Sequence, residues 1–147
     1  MKVLIMGGTG AMGGYLADIL ADKGAYVDIT TRQDRKSSRD NMRYIQGNAH
    51  DIDFIRPLLE SKGYDCVINF MSYVSEEFRE HREILTDNTK HYIFLSSARV
   101  YADSDSPIKE TSARLLDVSG DKEYLKTDEY ALAKARQEDM LMNGKAD

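Results

Sequence analysis

The feature that most constrains this sequence is a glycine-rich segment at residues 7–14, which separates an apolar run from a helical pattern. The apolar run covers residues 3–6, and residues 15–20 continue with apolar side chains spaced as on one helix face. A strand, a glycine turn and a helix in this order form the context in which such glycines bind a dinucleotide. The alternative is a glycine-rich turn that joins any strand to any helix. The flanking elements favour the dinucleotide site.

Three glycines of this segment have different physical tasks in such a site. Gly7 permits the tight turn, Gly10 lets a pyrophosphate approach the backbone, and Gly13 lets the helix pack closely on the strand. The helix that follows directs unpaired N–H groups and the positive end of its dipole at the phosphates. The predicted cofactor contacts of this segment are Gly7, Thr9, Gly10, Ala11, Met12 and Gly13.

Length and composition indicate one globular domain of ordinary size, residues 1–147. Of its 147 residues 41% are hydrophobic, enough to bury a sizeable core. The net charge of -5 argues against a nucleic-acid partner or an anionic membrane surface. Cys66 is the single cysteine, which excludes a disulfide framework, and its apolar neighbours predict a buried thiol. The sequence shows no secretory signal and no membrane-spanning run, so we expect a cytoplasmic protein.

Strand-like and helix-like segments alternate along the chain. The predicted strands cover residues 3–6, 25–31, 42–45, 65–71 and 91–96, and the later helices are predicted at residues 52–59, 75–85 and 128–141. Residues 102–125 are expected to be irregular. This alternation predicts an α/β fold, a doubly wound parallel sheet in the order 3-2-1-4-5 with helices on both faces.

Particular residues are expected to begin or end these helices. Asp51 is a predicted N-cap, and Gly24 and Gly63 are predicted to stop the helices that precede them. In the first helix, the helical spacing predicts one apolar face that packs on the sheet, formed by Ala11, Met12, Tyr15, Leu16, Ile19 and Leu20.

Three local motifs resemble, in the expected order, the extended short-chain dehydrogenases/reductases, a family that contains nucleotide-sugar epimerases and dehydratases. They are Gly-Gly-Thr-Gly-Ala-Met-Gly at 7–13, Leu-Ser-Ser-Ala-Arg-Val-Tyr at 95–101 and Tyr-Ala-Leu-Ala-Lys at 130–134. The resemblance implies a Rossmann fold, an NAD(P) cofactor, hydride transfer to or from a nucleotide-sugar, and a homodimer. Members of this family are normally longer, so the chain is expected to lack the C-terminal substrate lobe.

The third motif supplies the predicted acid/base. Tyr130 and Lys134 are four residues apart, so on a helix they share one face. A free phenol is a poor acid or base near neutral pH, and a nearby ammonium favours its ionised form. The resemblance assigns Lys134 a hydrogen bond to the nicotinamide ribose, and it assigns Ser97 the task of holding the reacting oxygen. The predicted catalytic residues are therefore Ser97, Tyr130 and Lys134.

The end of the second strand bears on the choice between NAD and NADP. A site for NAD places a carboxylate there to accept from the ribose 2′-hydroxyl, whereas a 2′-phosphate needs a cation. This sequence has Thr31 and Arg32 at that position, with Arg35 and Lys36 nearby. A guanidinium matches phosphate geometry, so NADP is favoured and NAD is the second choice. Asp34 could instead accept a hydrogen bond from the ribose if the loop folds back.

Two further segments match the family's cofactor contacts less closely. Asn48 and Ala49 follow the third strand, where the family has an acidic residue at the adenine amino group, and an asparagine oxygen can take that place. Phe70, Met71 and Ser72 lie at the end of the fourth strand, where in the family a stretch of small residues passes under the cofactor. We include all five residues in the predicted cofactor site.

Other functions have less support in the sequence. The three histidines at positions 50, 81 and 91 have no spacing typical of a metal site, and no metal is predicted. The alternative to an enzyme is a non-catalytic regulator of the same fold that senses NADP or its redox state. Such relatives often lack the tyrosine–lysine pair, so its presence favours the enzyme.

Overall fold

The computed structural model describes residues 1–143, and residues 144–147 of the predicted domain lie outside the described part. The chain divides into two compact units. The first contains residues 1–72 and 83–95, and the second contains residues 73–82 and the chain from Ser96 onward.

The first unit is a five-stranded sheet in the order β3-β2-β1-β4-β5, in which every neighbouring pair is parallel. This confirms the predicted fold class and strand order. The sheet contains β1 (Lys2–Met6), β2 (Tyr26–Thr31), β3 (Met42–Gln46), β4 (Tyr64–Asn69) and β5 (Thr89–Phe94). The associated helices are α1 (Ala11–Asp22), α2 (Ile52–Lys62) and α3 (Ser75–Asp87), of which α3 begins in the second unit.

Two faces of the sheet are covered because the chain crosses it in opposite directions. The β1–α1–β2 crossover runs toward β3 and the β3–α2–β4 crossover runs back, so right-handed connections place α1 and α2 on opposite faces. The face toward α1 carries a buried cluster that includes Val3, Ile5, Val27, Ile29 and Cys66. The thiol of Cys66 is buried as predicted.

The buried face of α1 differs from the predicted one. Its buried residues are Gly13, Ala17 and Ala21, whereas Met12 is 65% exposed and Tyr15 is 72% exposed. The helix therefore approaches the sheet through small side chains, which allow close packing. Large apolar side chains at helical spacing do not reveal such a face, and the prediction for Met12 and Tyr15 was wrong.

The predicted helix ends are confirmed. The Asp51 carboxylate accepts a hydrogen bond of 2.9 Å from the Asp53 N–H at the start of α2. Gly24 and Gly63 follow α1 and α2 with φ angles of +81° and +56°, a backbone conformation that favours glycine.

One carboxylate is buried in the sheet of the first unit. Asp28 of β2 accepts hydrogen bonds of 3.0 and 2.7 Å from its cross-strand neighbour Arg43 and one of 2.6 Å from the Tyr64 hydroxyl. Burial by itself raises the pKa of Asp28, but the hydrogen bonds from Arg43 and Tyr64 and the charges of Arg43 and Lys62 lower it below its usual value. No local sequence pattern indicates this cluster, because its members are fifteen and thirty-six residues from Asp28.

The second unit is mostly helical. It contains the start of α3, a 3₁₀ turn (Ala98–Val100), α4 (Leu115–Val118), α5 (Lys122–Lys126) and α6 (Tyr130–Met142). The segment expected to be irregular, residues 102–125, thus holds two short helices. Helix α6 buries Ala131, Leu132, Ala133, Lys134, Ala135 and Gln137. Within residues 1–143, no helix has the length and apolar character needed to cross a membrane.

Candidate cofactor and catalytic sites

The glycine turn of the first unit has the backbone geometry that its sequence predicts. Gly7 has a φ angle of +70°, and its N–H donates a hydrogen bond of 3.1 Å to Thr30 Oγ1. A Cβ added to Gly13 would lie 2.5 Å from the Cα of Gly8. The start of α1 is therefore in backbone contact with the turn, as predicted for the third glycine.

Gly10 leaves the N-terminus of α1 open. It is the N-cap residue, with an extended backbone and no side-chain cap. A Cβ added to Gly10 would meet nothing within 4 Å. The first N–H groups of a helix have no partners within the helix, so an uncapped and open N-terminus can accept an anion such as a phosphate.

One cavity of about 290 Å³ lies at the carboxyl ends of the strands in the first unit. Ligands of open α/β sheets bind at such a position. The predicted cofactor residues of this unit that lie outside α1 and its cap all line this cavity. Its lining is formed by Gly7, Thr9, Thr30, Thr31, Arg32, Gly47, Asn48, Ala49, His50, Phe70, Met71 and Ser72.

The ionisable side chains of this lining are basic residues. Arg32 and His50 belong to it, and no aspartate or glutamate does, so Asp34 is not a lining residue. Thr31 is buried at the end of β2, and its hydroxyl accepts a hydrogen bond of 3.1 Å from the Gln33 N–H. His50 is not among the predicted cofactor residues, although it belongs to this lining.

Two segments at the cavity are held by local hydrogen bonds. The side-chain oxygen of Asn48 accepts from the His50 N–H at 3.2 Å, and that of Asn69 accepts from the Met71 N–H at 2.9 Å. The sulfur of Met71 would be 2.9 Å from a Cβ added to Gly7. Met71 thus packs directly over the glycine turn, and a side chain at Gly7 would displace it.

The predicted catalytic residues lie in the second unit. Tyr130 and Lys134 occupy the first turns of α6, and Ser97 is the N-cap of the 3₁₀ turn, where its Oγ accepts from the Arg99 N–H at 3.2 Å. Tyr130 is 38% exposed and Lys134 is 3% exposed. Burial lowers the pKa of Lys134, and the charge of Glu138 opposes this effect.

Arg99 and Glu129 flank Tyr130. The Arg99 guanidinium carbon lies 5.4 Å from the centroid of the Tyr130 ring, and its Nη2 lies 2.6 Å from Glu129 Oε1. Glu129 caps α6 through the Ala131 N–H and also accepts from the Tyr124 hydroxyl at 3.1 Å. Arg99 is thirty positions from Glu129 in the sequence, so no local pattern could have identified the pair.

The Glu138 carboxylate of α6 binds Ser96, the residue before Ser97. Ser96 Oγ donates a hydrogen bond to Glu138, which also forms an ion pair of 3.2 Å with Arg114. The acceptor of Ser96 is therefore a side chain of α6. Among residues 1–143, no group of three His, Cys, Asp or Glu side chains could hold a metal ion.

The sheet order and the glycine turn at the end of β1 define a nucleotide-binding α/β protein of the Rossmann class. The chain belongs to the NAD dependent epimerase/dehydratase family, whose sequence pattern matches residues 3–145. This confirms the resemblance to epimerases and dehydratases.

Two curated proteins are similar in sequence to this chain, and their names describe different roles. The chloroplast stem-loop binding protein of 41 kDa b from Arabidopsis thaliana is 32% identical over 118 residues, which are 71% of this chain and 31% of the relative. A UDP-glucose 4-epimerase from Streptococcus mutans is 28% identical over 135 residues, 76% of this chain and 40% of the relative. The chain thus spans less than half the length of these relatives.

Solved structures share the fold. The Bordetella bronchiseptica enzyme WbmG in complex with NAD and UDP has a TM-score of 0.76 at 16% identity, covering 99% of this chain and 50% of that one. The UDP-glucose 4-epimerase of Bifidobacterium longum in complex with NAD+ and UDP has a TM-score of 0.73 at 22% identity, covering 97% and 48%. At these identities the likeness establishes the fold alone.

Proposed function

We propose that this chain is the cofactor-binding part of an NADP-dependent epimerase, dehydratase or reductase that acts on a hydroxyl or carbonyl carbon of a nucleotide-sugar. The observation that carries the proposal is the cavity at the carboxyl ends of the strands, next to the uncapped N-terminus of α1. Gly10 would let the pyrophosphate approach the backbone, and Gly7 and Gly13 would keep the turn and the helix in place.

The proposed preference for NADP is supported by the charges of the cavity. Arg32 lines it at the end of β2, and Thr31 stands where a site for NAD would have a carboxylate. A guanidinium can bind a 2′-phosphate through two parallel hydrogen bonds. Three similar structures are complexes with NAD, so NAD is the competing cofactor.

In the proposed reaction, residues of the second unit transfer the proton. A bound nicotinamide would supply or accept the hydride. The Tyr130 phenol would move the proton of the reacting hydroxyl, with Ser97 holding that oxygen by a hydrogen bond and Lys134 favouring the phenolate and binding the nicotinamide ribose. The partial exposure of Tyr130 is compatible with access by a substrate.

The proposed substrate class rests on similarity to other proteins rather than on a substrate pocket of this chain. Two similar structures are described with UDP bound, and one curated relative is a UDP-glucose 4-epimerase. These names support a nucleotide-sugar as the small-molecule substrate. A homodimer and a cytoplasmic location stay predictions from the sequence.

Fluorescence of the reduced nicotinamide tests the cofactor proposal. Titration with NADPH and with NADH should show that NADPH binds more tightly. Arg32→Gln should lower the affinity for NADPH about ten-fold, since one charged hydrogen-bonding pair is lost. The same substitution should leave the affinity for NADH unchanged. Lys36→Gln removes a cation from the same loop that does not line the cavity, and it serves as the matched control. Equal affinity for both cofactors in the wild-type protein would refute the preference.

Turnover tests the proposed acid/base. A full-length version of the protein would be given NADP⁺ and a panel of UDP-hexoses, and the nucleotide-sugar products would be separated by chromatography, because an epimerase or a dehydratase returns the hydride and leaves no net NADPH. In that full-length version, Tyr130→Phe should abolish turnover without changing the affinity for NADPH. Tyr26→Phe is the matched control because Tyr26 is an exposed tyrosine at the start of β2. Unchanged turnover in Tyr130→Phe would remove Tyr130 from this role.

A second candidate function is a regulator that binds NADP without turnover. It is favoured by the burial of Lys134, which is 3% exposed although a catalytic lysine must reach the ribose. One relative also has a name that gives a binding role rather than a reaction. This candidate predicts normal NADPH binding with no turnover on any UDP-hexose, and no effect of Tyr130→Phe on any measured property except local stability.

A further inference from the structure

The proposed catalytic tyrosine lies at the end of its helix, where a helix opens most easily. Tyr130 is the first residue of α6, and the first N–H groups of a helix have no acceptors within it. Glu129 caps this end, and its Oε2 accepts from the Ala131 N–H at 2.8 Å. A cap orders the first turn but does not determine where that turn lies. The contacts of the segment before Tyr130 do so.

Arg136, six residues after Tyr130 on α6, binds this segment at three points. Its Nη1 donates to the Thr127 carbonyl at 2.7 Å and to Asp128 Oδ1 at 2.8 Å. Its Nη2 donates to the Leu125 carbonyl at 2.7 Å. The planar guanidinium presents its donors in a fixed fork, so these acceptors are held in one arrangement. One side chain of α6 therefore fixes the chain that enters α6.

Asp128 connects the same segment to the start of α3 within the second unit. Its Oδ2 accepts from the Ser75 N–H at 2.7 Å, and its Oδ1 accepts from the Ser75 hydroxyl at 2.5 Å. Burial raises the pKa of Asp128, but the hydrogen bonds from Ser75 and Arg136 lower it below its usual value. The carboxylate is therefore charged near neutral pH. The segment before Tyr130 is thus bound by Arg136 and by Ser75.

Other contacts of α6 act on different parts of the helix. Gln137 is fully buried, and its Nε2 donates to the Tyr73 carbonyl at 2.7 Å. This bond holds the body of α6. The Arg99 guanidinium carbon, 5.4 Å from the centroid of the Tyr130 ring, contacts the ring. Arg136 instead binds the backbone that leads into the first turn, so its effect on Tyr130 is separate from those of Gln137 and Arg99.

We propose that Arg136 is a positioning residue for Tyr130, which it places by binding the segment of residues 125–128. The inference rests on the proposed role of Tyr130 as the acid/base. An acid/base must lie within hydrogen-bonding reach of the oxygen that it serves. A displacement of about 1 Å can lower the rate about a hundred-fold, even when its cause lies away from the reacting atoms. Loss of Arg136 should therefore affect turnover far more than cofactor binding.

Amide hydrogen exchange, followed by NMR on the present chain, tests the position of the first turn without any turnover. The amides to follow are those of Ala131 and Ala133, which donate to Glu129. Arg136→Ala should speed their exchange at least about ten-fold relative to the amides of β1, because three hydrogen bonds of the entry segment are lost. Arg79→Ala is the matched control, since it removes an arginine of the same unit that pairs with Glu76 on α3. It should leave both amides unchanged.

Kinetics of a full-length version then test whether this position matters for the reaction. With the UDP-hexose that the wild-type protein converts, Arg136→Ala should lower kcat about a hundred-fold. The KM for the nucleotide-sugar and the affinity for NADPH should stay within about two-fold of the wild-type values. The number of NADPH molecules bound per chain should not change, which shows that the variant is folded. Arg136→Lys should lower kcat about ten-fold, because an ammonium is a point charge without the fork that reaches several acceptors.

The failures of the two proposals differ in these experiments. If the wild-type protein has no turnover, or if Tyr130→Phe keeps it, the acid/base role falls and the positioning role falls with it. If Tyr130→Phe abolishes turnover but Arg136→Ala keeps the wild-type kcat, only the role of Arg136 is overturned. Parallel losses of kcat and of NADPH bound per chain would show general unfolding and would also overturn it. Should Arg136→Ala not fold, a wild-type kcat in Arg136→Lys would overturn it instead.

Discussion

Gly13 and Gly14 are neighbours in α1, but alanine should have opposite effects at the two positions. A Cβ added to Gly13 would lie 2.5 Å from the Gly8 Cα and 2.8 Å from the Gly8 carbonyl carbon, whereas one added to Gly14 would meet nothing within 4 Å. Favourable carbon–carbon contacts lie at about 3.5–4.0 Å. Because the obstructing atoms belong to the backbone, no change of rotamer relieves the clash at Gly13.

The expected free energies follow from these distances. Overpacking costs about 1–3 kcal/mol, and a backbone clash belongs at the upper end, while the better helix propensity of alanine returns up to about 1 kcal/mol. Gly13→Ala should therefore lower the free energy of unfolding by about 2 kcal/mol. Gly14→Ala should raise it by about 0.5–1 kcal/mol, since only the propensity changes.

Urea unfolding followed by circular dichroism measures this difference, with Gly14→Ala as the control. The two variants should be separated by about 3 kcal/mol, or by about 6–12 °C in melting temperature for a chain of this size. Gly13→Ala should also weaken binding of adenosine 2′,5′-bisphosphate (2′,5′-ADP), because the turn that is proposed to contact its 5′-phosphate would move. Equal stability of the two variants would refute the argument that the turn and α1 are in backbone contact.

Three further changes have separate outcomes. Gly10→Ala should weaken 2′,5′-ADP binding at least ten-fold with a change in stability of about 1 kcal/mol or less, because its Cβ would enter open space where a phosphate is proposed to bind; equal losses of binding and stability would contradict this. The pKa of Asp28 is lower in the folded protein than in the unfolded chain. The ionised carboxylate therefore stabilises the fold at pH values above the unfolded-state pKa, and this stabilisation disappears as the pH falls through the folded-state pKa. The difference in urea midpoint between the wild-type protein and Asp28→Asn should thus shrink below about pH 4, and a constant difference would show that the charge is irrelevant. Glu129→Ala should cost about 1 kcal/mol through loss of the α6 cap, whereas Glu123→Ala, at an exposed ion pair, should change little; equal effects would show that the cap contributes nothing.

The sheet could be predicted because its signals are local and periodic. Strand-like runs alternate with helical segments, and the right-handed crossover rule leaves few strand orders. Asp51, Gly24 and Gly63 also act through their own backbone or that of residues two positions away, so their roles at the helix ends could be read from the sequence. The same holds for the glycine turn, whose φ angle at Gly7 follows from the sequence context alone.

The contacts that were missed depend on tertiary structure. Asp28 is stabilised by Arg43 and Tyr64 from neighbouring parts of the chain fifteen and thirty-six residues away. The face of α1 was assigned to Met12 and Tyr15 because large apolar side chains dominate a periodicity analysis. Close packing of a helix on a sheet instead selects small residues such as Ala17 and Ala21, whose hydrophobic signal is weak.

The local charge of the cavity matters more for its ligand than the net charge of the chain. The net charge of -5 favours neither a nucleic acid nor an anionic surface, yet a dinucleotide phosphate is also an anion. Exposed charges farther apart than about 8 Å are largely screened at physiological ionic strength, so distant carboxylates contribute little within the cavity. Arg32, His50 and the helix N-terminus lie at or beside it, and no carboxylate lines it. An acidic chain can therefore offer a site for an anion, and the ionic-strength dependence of 2′,5′-ADP binding should be that of attraction, with affinity falling as salt is added. An affinity that rises with salt would show instead that the net negative charge of the chain dominates.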